Sequence, residues 1–377
     1  YEDTEERRWL DSIIRKTAIA VQQSNFQPDV SMQVTIPNEW ENIAPINIGV
    51  TAGIETTRVA PAWIEKGNLV NKIITISEFS KNSYANTNYT ITDNRTNQVV
   101  SEKFSCETPI EVVHYPVRQT DVKPIDLNLT TDFNFLVTAQ WSPRKNLENT
   151  INWFIEEFLN EDVGLILKIN VVNNSIIDRL ETEKRIKHVI GQHPEKKCKI
   201  YLLHGDLSAE EMNSLYNHKN IKAFISIAHG EGFGLPIFEA AYNGLPIIAP
   251  DWSGHIDYLY MPAKNKKGRI KNRPCFAKVE YDMAPVQKEV VWENVLVKDS
   301  MWCYPKQNSY RAKLREVYKD HGRFIAQSAK LKKYICDNFT AESKYKEVID
   351  IVKSTLPENV NEQEVDSLFD ELMAETA

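Results

Sequence analysis

This sequence has no apolar run that approaches the roughly 18 residues a helix needs to cross a bilayer. It also lacks a positively charged start followed by an apolar stretch, which is the pattern of a secretory signal peptide. We therefore expect a soluble, cytoplasmic protein without a transmembrane segment. Because the first residue is Tyr1 rather than methionine, we also expect part of the natural N-terminus to be missing.

Cysteine is scarce, and short acidic metal-binding patterns are absent. The five cysteines include no close pair of the kind that binds zinc or carries out redox chemistry, which fits a reducing cytosol. No two aspartates are separated by a single residue, so the usual short acidic motif for a divalent cation does not occur. We predict a protein that works without a metal or cofactor.

Net positive charge is lacking as well. The 45 lysines and arginines stand against 52 aspartates and glutamates, and a net charge of −7 argues against a generally basic surface for nucleic acid. The local exception is the basic segment KNKKGRIKNR, residues 264–273. A length of 377 residues is too much for one compact core and predicts two domains with a cleft between them.

The N-terminal half has the pattern of an α/β domain. It opens with a predicted helix over 4–22, and two β-rich pieces around the turn-forming DNRTN predict a hairpin insertion at about 84–106. Strands are predicted over 30–36, 47–51, 71–77 and 110–117. The polar segment 118–132 carries a proline and lacks periodicity, which is typical of an interdomain linker.

From residue 133 onward, strands and helices alternate regularly. Strands are predicted over 133–139, 163–171, 198–204, 222–228 and 246–250, and helices over 146–159, 175–190, 208–217 and 236–243. Strands separated by helices of this length pair in parallel, so the pattern predicts a doubly wound sheet. Two further helices are predicted over 308–336 and 341–355, followed by an acidic tail without predicted structure.

These elements predict four parts of the chain. They are an N-terminal Rossmann-like domain over 1–125, a C-terminal Rossmann-like domain over 126–322, helices over 323–357 that pack back toward the N-terminal domain, and the acidic tail 358–377.

The segment HGEGFGLPIFEAAYNGLPIIAP, residues 229–250, follows a predicted strand. Ligands of open parallel sheets bind beyond the carboxyl ends of the strands. Gly232 and Gly234 allow the backbone to approach a ligand closely, and Pro236 suits the first turn of a helix. Free amides at a positive helix end suit an anion such as a phosphate.

Glu231 and Glu239 require another explanation, because a carboxylate repels a phosphate. A carboxylate accepts hydrogen bonds from vicinal hydroxyls, so a ligand that carries both a diphosphate and sugars accounts for the amides and the acids together. A nucleotide sugar is such a ligand. The alternative is a solvated helix start in which Glu239 is a favourable first-turn acid.

The segment EGFGLPIFEAAYNGLPIIAPDWSG resembles the signature of the retaining glycosyltransferases of family four. That signature is a glutamate, seven residues, a second glutamate, a helix of small residues and a Gly-x-Pro turn. Other segments resemble elements of the family in the expected order, namely 52–82, 142–154, 204–216 and 301–317. The matches cover most of residues 45–320.

The resemblance implies a GT-B architecture with two Rossmann-like domains facing a cleft. The C-terminal domain would hold a nucleotide-diphosphate sugar, either a UDP- or a GDP-sugar, and the N-terminal domain would present the acceptor. Only about three βα units precede the linker, fewer than this architecture normally uses, so we expect the N-terminal domain to be incomplete.

The resemblance also implies roles for individual residues. Glu231 would bind hydroxyls of the donor sugar and Glu239 the ribose, while Arg144 and Lys145 would neutralise the departing diphosphate. The full set of implied donor-binding residues is Gln140, His204, Gly205, Gly232, Phe233, Gly234, Leu235 and Glu239. Many family members have an arginine at the position of Gln140, so Arg144 would carry that charge here.

A loop after an N-terminal strand supplies possible acceptor-side residues. Glu55, Thr56 and Arg58 are predicted to face the cleft, with a salt-bridged loop as the alternative. Departure of the diphosphate leaves a cationic sugar and an anionic leaving group, so fixed cations stabilise the transition state. In the family, retention is ascribed to attack from the face of the departing phosphate, and Glu231 is then not a nucleophile.

Several alternatives remain open. A nucleotide-sugar epimerase or phosphorylase could use the same scaffold, and so could a non-catalytic sugar-nucleotide-binding protein, which the glutamate pair and Lys145 disfavour. The acceptor is open among lipid, glycan, protein and modified DNA. Two features raise the hypothesis of a phage-type DNA hydroxymethyl-base glycosyltransferase with a protein partner for its tail. They are the basic residues 264–273 and the tail segment DSLFDELM (366–373), which resembles terminal peptides that bind sliding clamps.

Overall fold

A computed structural model describes residues 4–24, 28–93, 95–264 and 268–357. The predicted acidic tail 358–377 and the tip of the basic segment, residues 265–267, lie outside the described residues. Among the described helices, none combines the length and the apolar character that crossing a membrane requires.

The N-terminal half is built on a parallel sheet of four strands. Its strands are β1 (Val30–Val34), β2 (Ile46–Thr51), β3 (Lys72–Thr75) and β6 (Ile110–Val112), in the order β1-β2-β3-β6. A separate antiparallel hairpin lies between β3 and β6 in the chain and consists of β4 (Asn88–Thr92) and β5 (Val99–Ser105). The helices of this half are α1 (Glu5–Ser24), α2 (Pro61–Gly67) and α3 (Glu78–Asn86).

The second half contains a parallel sheet of six strands. The strands are β7 (Asn134–Gln140), β8 (Gly164–Asn170), β9 (Lys199–Leu202), β10 (Ile221–Ile225), β11 (Ile247–Pro250) and β14 (Ala277–Val279). Their order is β14-β11-β10-β7-β8-β9, as in a doubly wound sheet. The helices between them are α4 (Leu147–Glu157), α5 (Ile176–Ile190), α6 (Ala209–Tyr216), α7 (Leu235–Tyr242) and α8 (Ile256–Leu259).

Both faces of the six-stranded sheet are buried, which explains the continuous apolar runs of its strands. Phe135 and Val137 belong to the core on one face, and Leu136 between them belongs to the core on the other. On α4, the apolar stripe that faces the sheet includes Ile151 and Phe154, both fully buried. At the start of α6, Ser208 and Glu211 form the reciprocal hydrogen bonds of a capping box, as their spacing predicts.

Five short strands of the second half were not predicted from the sequence. β14 completes the six-stranded sheet at one edge, and two antiparallel hairpins consist of β12 (Tyr260–Lys264) with β13 (Ile270–Pro274) and of β15 (Tyr281–Pro285) with β16 (Met301–Pro305). Strands of three to five residues carry too little periodicity to be distinguished from loops.

The C-terminal helices are α9 (Gln307–Lys319), α10 (His321–Asn338) and α11 (Ala341–Thr355). The prediction of one helix over 308–336 is wrong, because Asp320 has φ −120° and ψ 42° and separates α9 from α10. Apolar residues recur on both sides of this break with helical spacing, so the pattern alone does not reveal it. Val348 and Ile351 of α11 pack against Ile48, Ile74 and Val113 of the N-terminal half.

Candidate functional site

A glycine-rich turn connects β10 to α7 at the carboxyl edge of the six-stranded sheet. Gly234 has φ +85°, a conformation that favours glycine, and it caps the N-terminus of α7, with Pro236 in the first turn. Gly244, with φ +88°, follows the other end of this helix. Glu231 lies on the turn and Glu239 on the helix, so both acids of the sequence signature are held by one short segment.

The N–H groups of this turn are arranged so that they can bind an anion. Within the described chain, no hydrogen bond uses the amides of Gly232, Phe233 or Gly234 as donors. The carbonyls of Phe233 and Gly234 accept hydrogen bonds from the Tyr258 hydroxyl at 3.0 and 2.9 Å, which fixes the orientation of these peptides. Consecutive free amides at a helix N-terminus form a ready site for a phosphate.

Glu231 is buried beside two cations. Its carboxylate is 2.5 Å from Lys145 Nζ and 3.0 Å from Arg144 Nη1, and the residue is 6% exposed. Burial alone would raise the pKa of Glu231, but Lys145 and Arg144 outweigh it and lower the pKa to about 2. The group is therefore ionised at neutral pH.

Arg144 joins the two halves of the molecule. It follows β7 in the short 3₁₀ segment Pro143–Lys145, and besides Glu231 it contacts the Gly230 carbonyl at 2.8 Å and Glu55 at 3.3 Å. Burial opposes its charge, yet the two carboxylates raise the pKa of Arg144 overall. Of the three predicted acceptor-side residues, Glu55 is thus the one that joins the cluster.

Thr56 and Arg58 have structural contacts instead. Thr56 is fully buried and its hydroxyl donates to the Arg58 carbonyl at 3.0 Å. Arg58 pairs with Asp299 and lies 4.5 Å from the centroid of the Tyr89 ring. The pair of Arg58 with Asp299 is of the kind that the alternative of a salt-bridged loop predicts, and the acceptor-side roles of Thr56 and Arg58 stay predictions.

The loop that carries Glu55 packs closely over the turn. A Cβ atom added to Gly232 would lie 2.7 Å from the Ala52 carbonyl oxygen, and one added to Gly230 would lie 2.1 Å from the Glu55 carbonyl oxygen. Glycine at these two positions allows the N-terminal half to approach the turn at backbone distance.

Glu239 occupies a different environment on α7. Its carboxylate accepts a hydrogen bond from the Tyr216 hydroxyl at 2.9 Å. Burial raises the pKa of Glu239, and this hydrogen bond opposes the rise. Glu239 lines a cavity of about 840 Å³, a size in the range of small-molecule sites. The other walls are residues 115–120 together with Leu235, Phe238, Tyr242, Ala341 and Tyr345.

The predicted residues Gln140, His204 and Gly205 have contacts with other parts of the C-terminal half. His204 Nε2 is 2.9 Å from Asp178, whose pKa lies well below its usual range because His204 and three backbone amides outweigh the effect of burial. Gly205 has φ +113°, and its carbonyl accepts from Lys168 Nζ at 2.6 Å. Gln140 is exposed and donates to the Val172 carbonyl at 3.3 Å.

Several site residues were not predicted. The amide of Glu231 donates to the Ser253 hydroxyl at 3.0 Å, and Ser253 has φ +79°. Asp257 accepts from the Glu78 amide at 2.8 Å and lies 3.0 Å from His114 Nε2, which connects the two halves. The segment DWSGH directly after the Gly-x-Pro turn was the available sequence signal for this region. The residues that contact this region are distant in the chain, so the sequence alone does not identify them.

His229 precedes the turn and is buried. Its Nδ1 lies 2.7 Å from the Cys303 carbonyl oxygen and its ring stacks on Trp302. Burial lowers the pKa of His229, so the ring is neutral at pH 7. Within the described residues, no group of three His, Cys, Asp or Glu side chains is arranged to hold a metal ion.

The part of the chain that carries this geometry is similar in sequence to known proteins. Residues 123–266 match the sequence model of the family Glycosyl transferases group 1. A segment of 118 residues is 32% identical to the serotype-specific mannosyltransferase WbdA of Escherichia coli, and it covers 31% of this chain and 13% of that protein. The chain therefore spans only a small part of the curated relatives it matches.

Solved structures resemble the chain over most of its length. Sucrose-phosphate synthase from Thermosynechococcus elongatus superposes with a TM-score of 0.56 at 10% identity, covering 94% of this chain and 80% of that one. The trehalose-6-phosphate synthase OtsA superposes with a TM-score of 0.54 at 10% identity, covering 92% and 78%. The predicted GT-B architecture is confirmed.

Proposed function

We propose that this protein moves a sugar from a nucleotide-diphosphate sugar to an acceptor hydroxyl, since residues 123–266 match the sequence model of the group 1 glycosyltransferases. The observation that supports this most directly is the combination at one turn of three unpartnered amides with Glu231, Lys145 and Arg144. Amides and cations suit a diphosphate, and a carboxylate suits sugar hydroxyls.

The donor would lie along α7 in this proposal. Its diphosphate would contact the amides of residues 232–234, and its ribose would bind Glu239. The nucleoside would occupy the cavity between α7 and residues 115–120, whose tyrosines can stack on a base. Either UDP or GDP fits these chemical requirements.

The cations have a specific part in the proposed reaction. Two carboxylates balance the two cations, because Lys145 pairs with Glu231 and Arg144 pairs with both Glu231 and Glu55. When the bond between the anomeric carbon and the phosphate oxygen breaks, its electron pair remains on the diphosphate. Lys145 and Arg144 would then face the developing negative charge in a largely buried site, where fixed charges stabilise a transition state most effectively.

We propose retention of configuration without a metal ion. The acceptor oxygen would attack the anomeric carbon from the side of the departing phosphate, and its proton would pass to a phosphate oxygen. Glu231 is poorly suited as a nucleophile because two cations hold its carboxylate and keep it weakly basic.

A screen of donors against acceptors tests the proposal. UDP-glucose, UDP-N-acetylglucosamine and GDP-mannose are each incubated with glycan, lipid, peptide and hydroxymethylated DNA acceptors, and the products are identified by mass spectrometry. We expect a sugar-sized mass increase that needs both donor and acceptor, with the anomeric configuration of the donor preserved. Epimerisation of the donor in the absence of any acceptor would contradict the proposal.

A further inference from the structure

A cluster of positive charge on the C-terminal half is not explained by the proposed reaction. Between Asp257 and Glu280 the chain contains no acidic residue, although the whole chain has a net charge of −7. The same stretch contains seven cations, namely Lys264, Lys266, Lys267, Arg269, Lys271, Arg273 and Lys278. Lys278 pairs with Asp251, and the excess that remains creates a local positive field on an otherwise acidic protein.

Most of this stretch forms the two-stranded ribbon β12–β13. In its antiparallel register, Lys271 lies opposite Ala263 and Arg273 lies opposite Met261, so no acid faces either cation across the strands. Lys271 and Arg273 share one face of β13 and are roughly 6.8 Å apart at an antiparallel rise of about 3.4 Å per residue. We call the described residues of β12 and β13 the basic ribbon.

The cations of the basic ribbon are exposed and uncompensated. Lys264, Lys271 and Arg273 are all exposed, and among the described residues none of the three takes part in an ion pair. Other exposed cations of the protein are paired, as Arg179 is with Glu183 and Lys333 is with Asp337. Unpaired cations in a row keep their full charge available for a polyanion.

A second positive element adjoins the ribbon. The Gln327 side chain on α10 donates to the Pro274 carbonyl at 2.9 Å, which ties α10 to the base of the ribbon. Lys330 follows Gln327 by one helical turn and so lies on the same side of α10. Of the four cations in residues 321–336, Arg323 pairs with Glu316 and Asp320 and Lys333 pairs with Asp337. Lys330 is exposed and adds its positive charge beside β13.

The basic ribbon lies away from the proposed donor site. It directly precedes β14, whose first residue Ala277 pairs with Ile248 near the amino end of β11. On neighbouring α10, Ser328 donates to the carbonyl of Gly244, which also precedes β11. Glu231, in contrast, follows the carboxyl end of β10. The Pro274 end of the ribbon thus lies beside α10 and the start of β14, while Tyr260 at the same end donates to Asp251 just after β11.

We propose that the basic ribbon is a binding site for double-stranded nucleic acid, with Lys271 and Arg273 contacting its phosphates. The row of cations suits a linear polyanion, and a two-stranded β-ribbon fits the major groove of a duplex. An anionic bilayer is a poorer match, because surface binding to lipid combines basic residues with several inserted apolar side chains. On the ribbon, Ile270 is the large apolar side chain that is mostly exposed.

This inference does not rest on the proposed function, because binding of a duplex requires neither donor nor sugar transfer. The ribbon would hold the protein on nucleic acid while the proposed donor site acts on its own substrate. The two ideas can therefore fail separately.

The test measures binding of the full chain to a dye-labelled DNA duplex of about 30 base pairs by fluorescence anisotropy. Potassium chloride is varied from about 50 to about 200 mM, because phosphate contacts make log Kd depend linearly on log salt concentration. We expect binding that weakens steeply with salt. K271A/R273A should weaken binding about tenfold at the lower salt concentration and reduce the salt slope by about two.

A matched variant separates the ribbon from net charge. K184A/K187A removes two exposed cations from α5 and changes the net charge equally, and we expect its duplex affinity to stay within about twofold of the wild type. Binding of UDP and GDP by all three proteins reports on folding and on the donor site. We expect it to be unchanged in both variants.

Three results would overturn the inference. They are no duplex binding by the wild type at the lowest salt concentration, equal losses of affinity in the two double variants, and binding to phosphatidylserine vesicles in place of the duplex. Absence of nucleotide binding together with intact duplex binding would instead contradict the proposed function and leave the ribbon assignment standing.

Discussion

At the scale of single residues, the charge of Glu231 is the most consequential feature of the site. The carboxylate is buried, and Lys145 and Arg144 lower its pKa from 4.5 to about 2. A carboxylate whose pKa is lower in the folded state stabilises that state above its unfolded pKa. The contribution is present above about pH 4.5 and is lost as the pH falls toward 2.

This shift predicts a pH-dependent difference between the wild type and Glu231→Gln, which keeps the shape but cannot ionise. We expect the difference in free energy of unfolding to shrink by about 2 kcal/mol between about pH 6 and about pH 3. Urea unfolding at a series of pH values measures it. A difference that is independent of pH would show that the ionised form is not what the two cations stabilise.

The two glutamates of the signature should differ in their kinetic effects. Glu239→Ala removes the carboxylate that would bind the ribose, and we expect the Kd for UDP or GDP to rise about tenfold or more, since a hydrogen bond to a charged group contributes about 1.5–3 kcal/mol. Glu231→Ala should mainly lower kcat, by about a hundredfold.

Isothermal titration of the nucleotides and steady-state kinetics distinguish these effects. Glu195→Ala, at an exposed turn position, serves as the control and should change neither quantity. Unchanged values in both glutamate variants would refute the assignment of the donor site.

At the scale of elements, backbone of the N-terminal half packs directly against the glycine-rich turn before α7. Gly232→Ala would place a Cβ atom 2.7 Å from the Ala52 carbonyl oxygen. The contact is with backbone, which cannot rotate away as the end of a flexible side chain can. We therefore expect the turn or the loop of residues 52–55 to shift, with a loss of about 1–3 kcal/mol in the free energy of unfolding and weaker nucleotide binding.

Gly322→Ala is the matched control for this substitution. Gly322 lies near the start of α10, and an added Cβ there meets no atom within 4 Å. Alanine favours a helix over glycine, so we expect stability to rise by up to about 1 kcal/mol. Thermal unfolding of both variants compares their stabilities. Equal changes in stability would show that the close approach of Ala52 to Gly232 does not require glycine at that position.

At the scale of the whole molecule, a few polar contacts connect the N-terminal half with the C-terminal half. Asp257 on α8 accepts from the Glu78 amide at the start of α3 and contacts His114. Arg144 reaches Glu55, and Arg58 pairs with Asp299. These contacts hold the glycine-rich turn under the loop of residues 52–55.

Asp257→Ala should weaken the contact between the N-terminal and C-terminal halves. We expect faster cleavage within the linker 118–132 in limited proteolysis, because local opening exposes the chain to the protease. Asp282→Ala is the control, since Asp282 forms an exposed pair with Lys306 inside the C-terminal half. Equal cleavage rates in the two variants would mean that Asp257 does not hold the halves together.

The sequence by itself determined the local elements and the identity of the key acids. The alternation of strands and helices after residue 133 predicted five of the six strands of the second sheet, because periodicity is a local property of the chain. The family-four resemblance of residues 229–250 is confirmed by the group 1 match. The roles of Gln140, His204 and the other site residues stay predictions.

Only the tertiary structure decided which residues meet. Arg144 and Glu231 are 87 positions apart in the chain, and they come together because β7 and β10 are parallel neighbours that end at the same edge of the sheet. Glu55 reaches Arg144 from the other half, whereas Thr56 contacts the Arg58 carbonyl and Arg58 pairs with Asp299. Local patterns carry no information about such pairings, because strand order and the packing of the two halves depend on contacts between residues far apart in the chain.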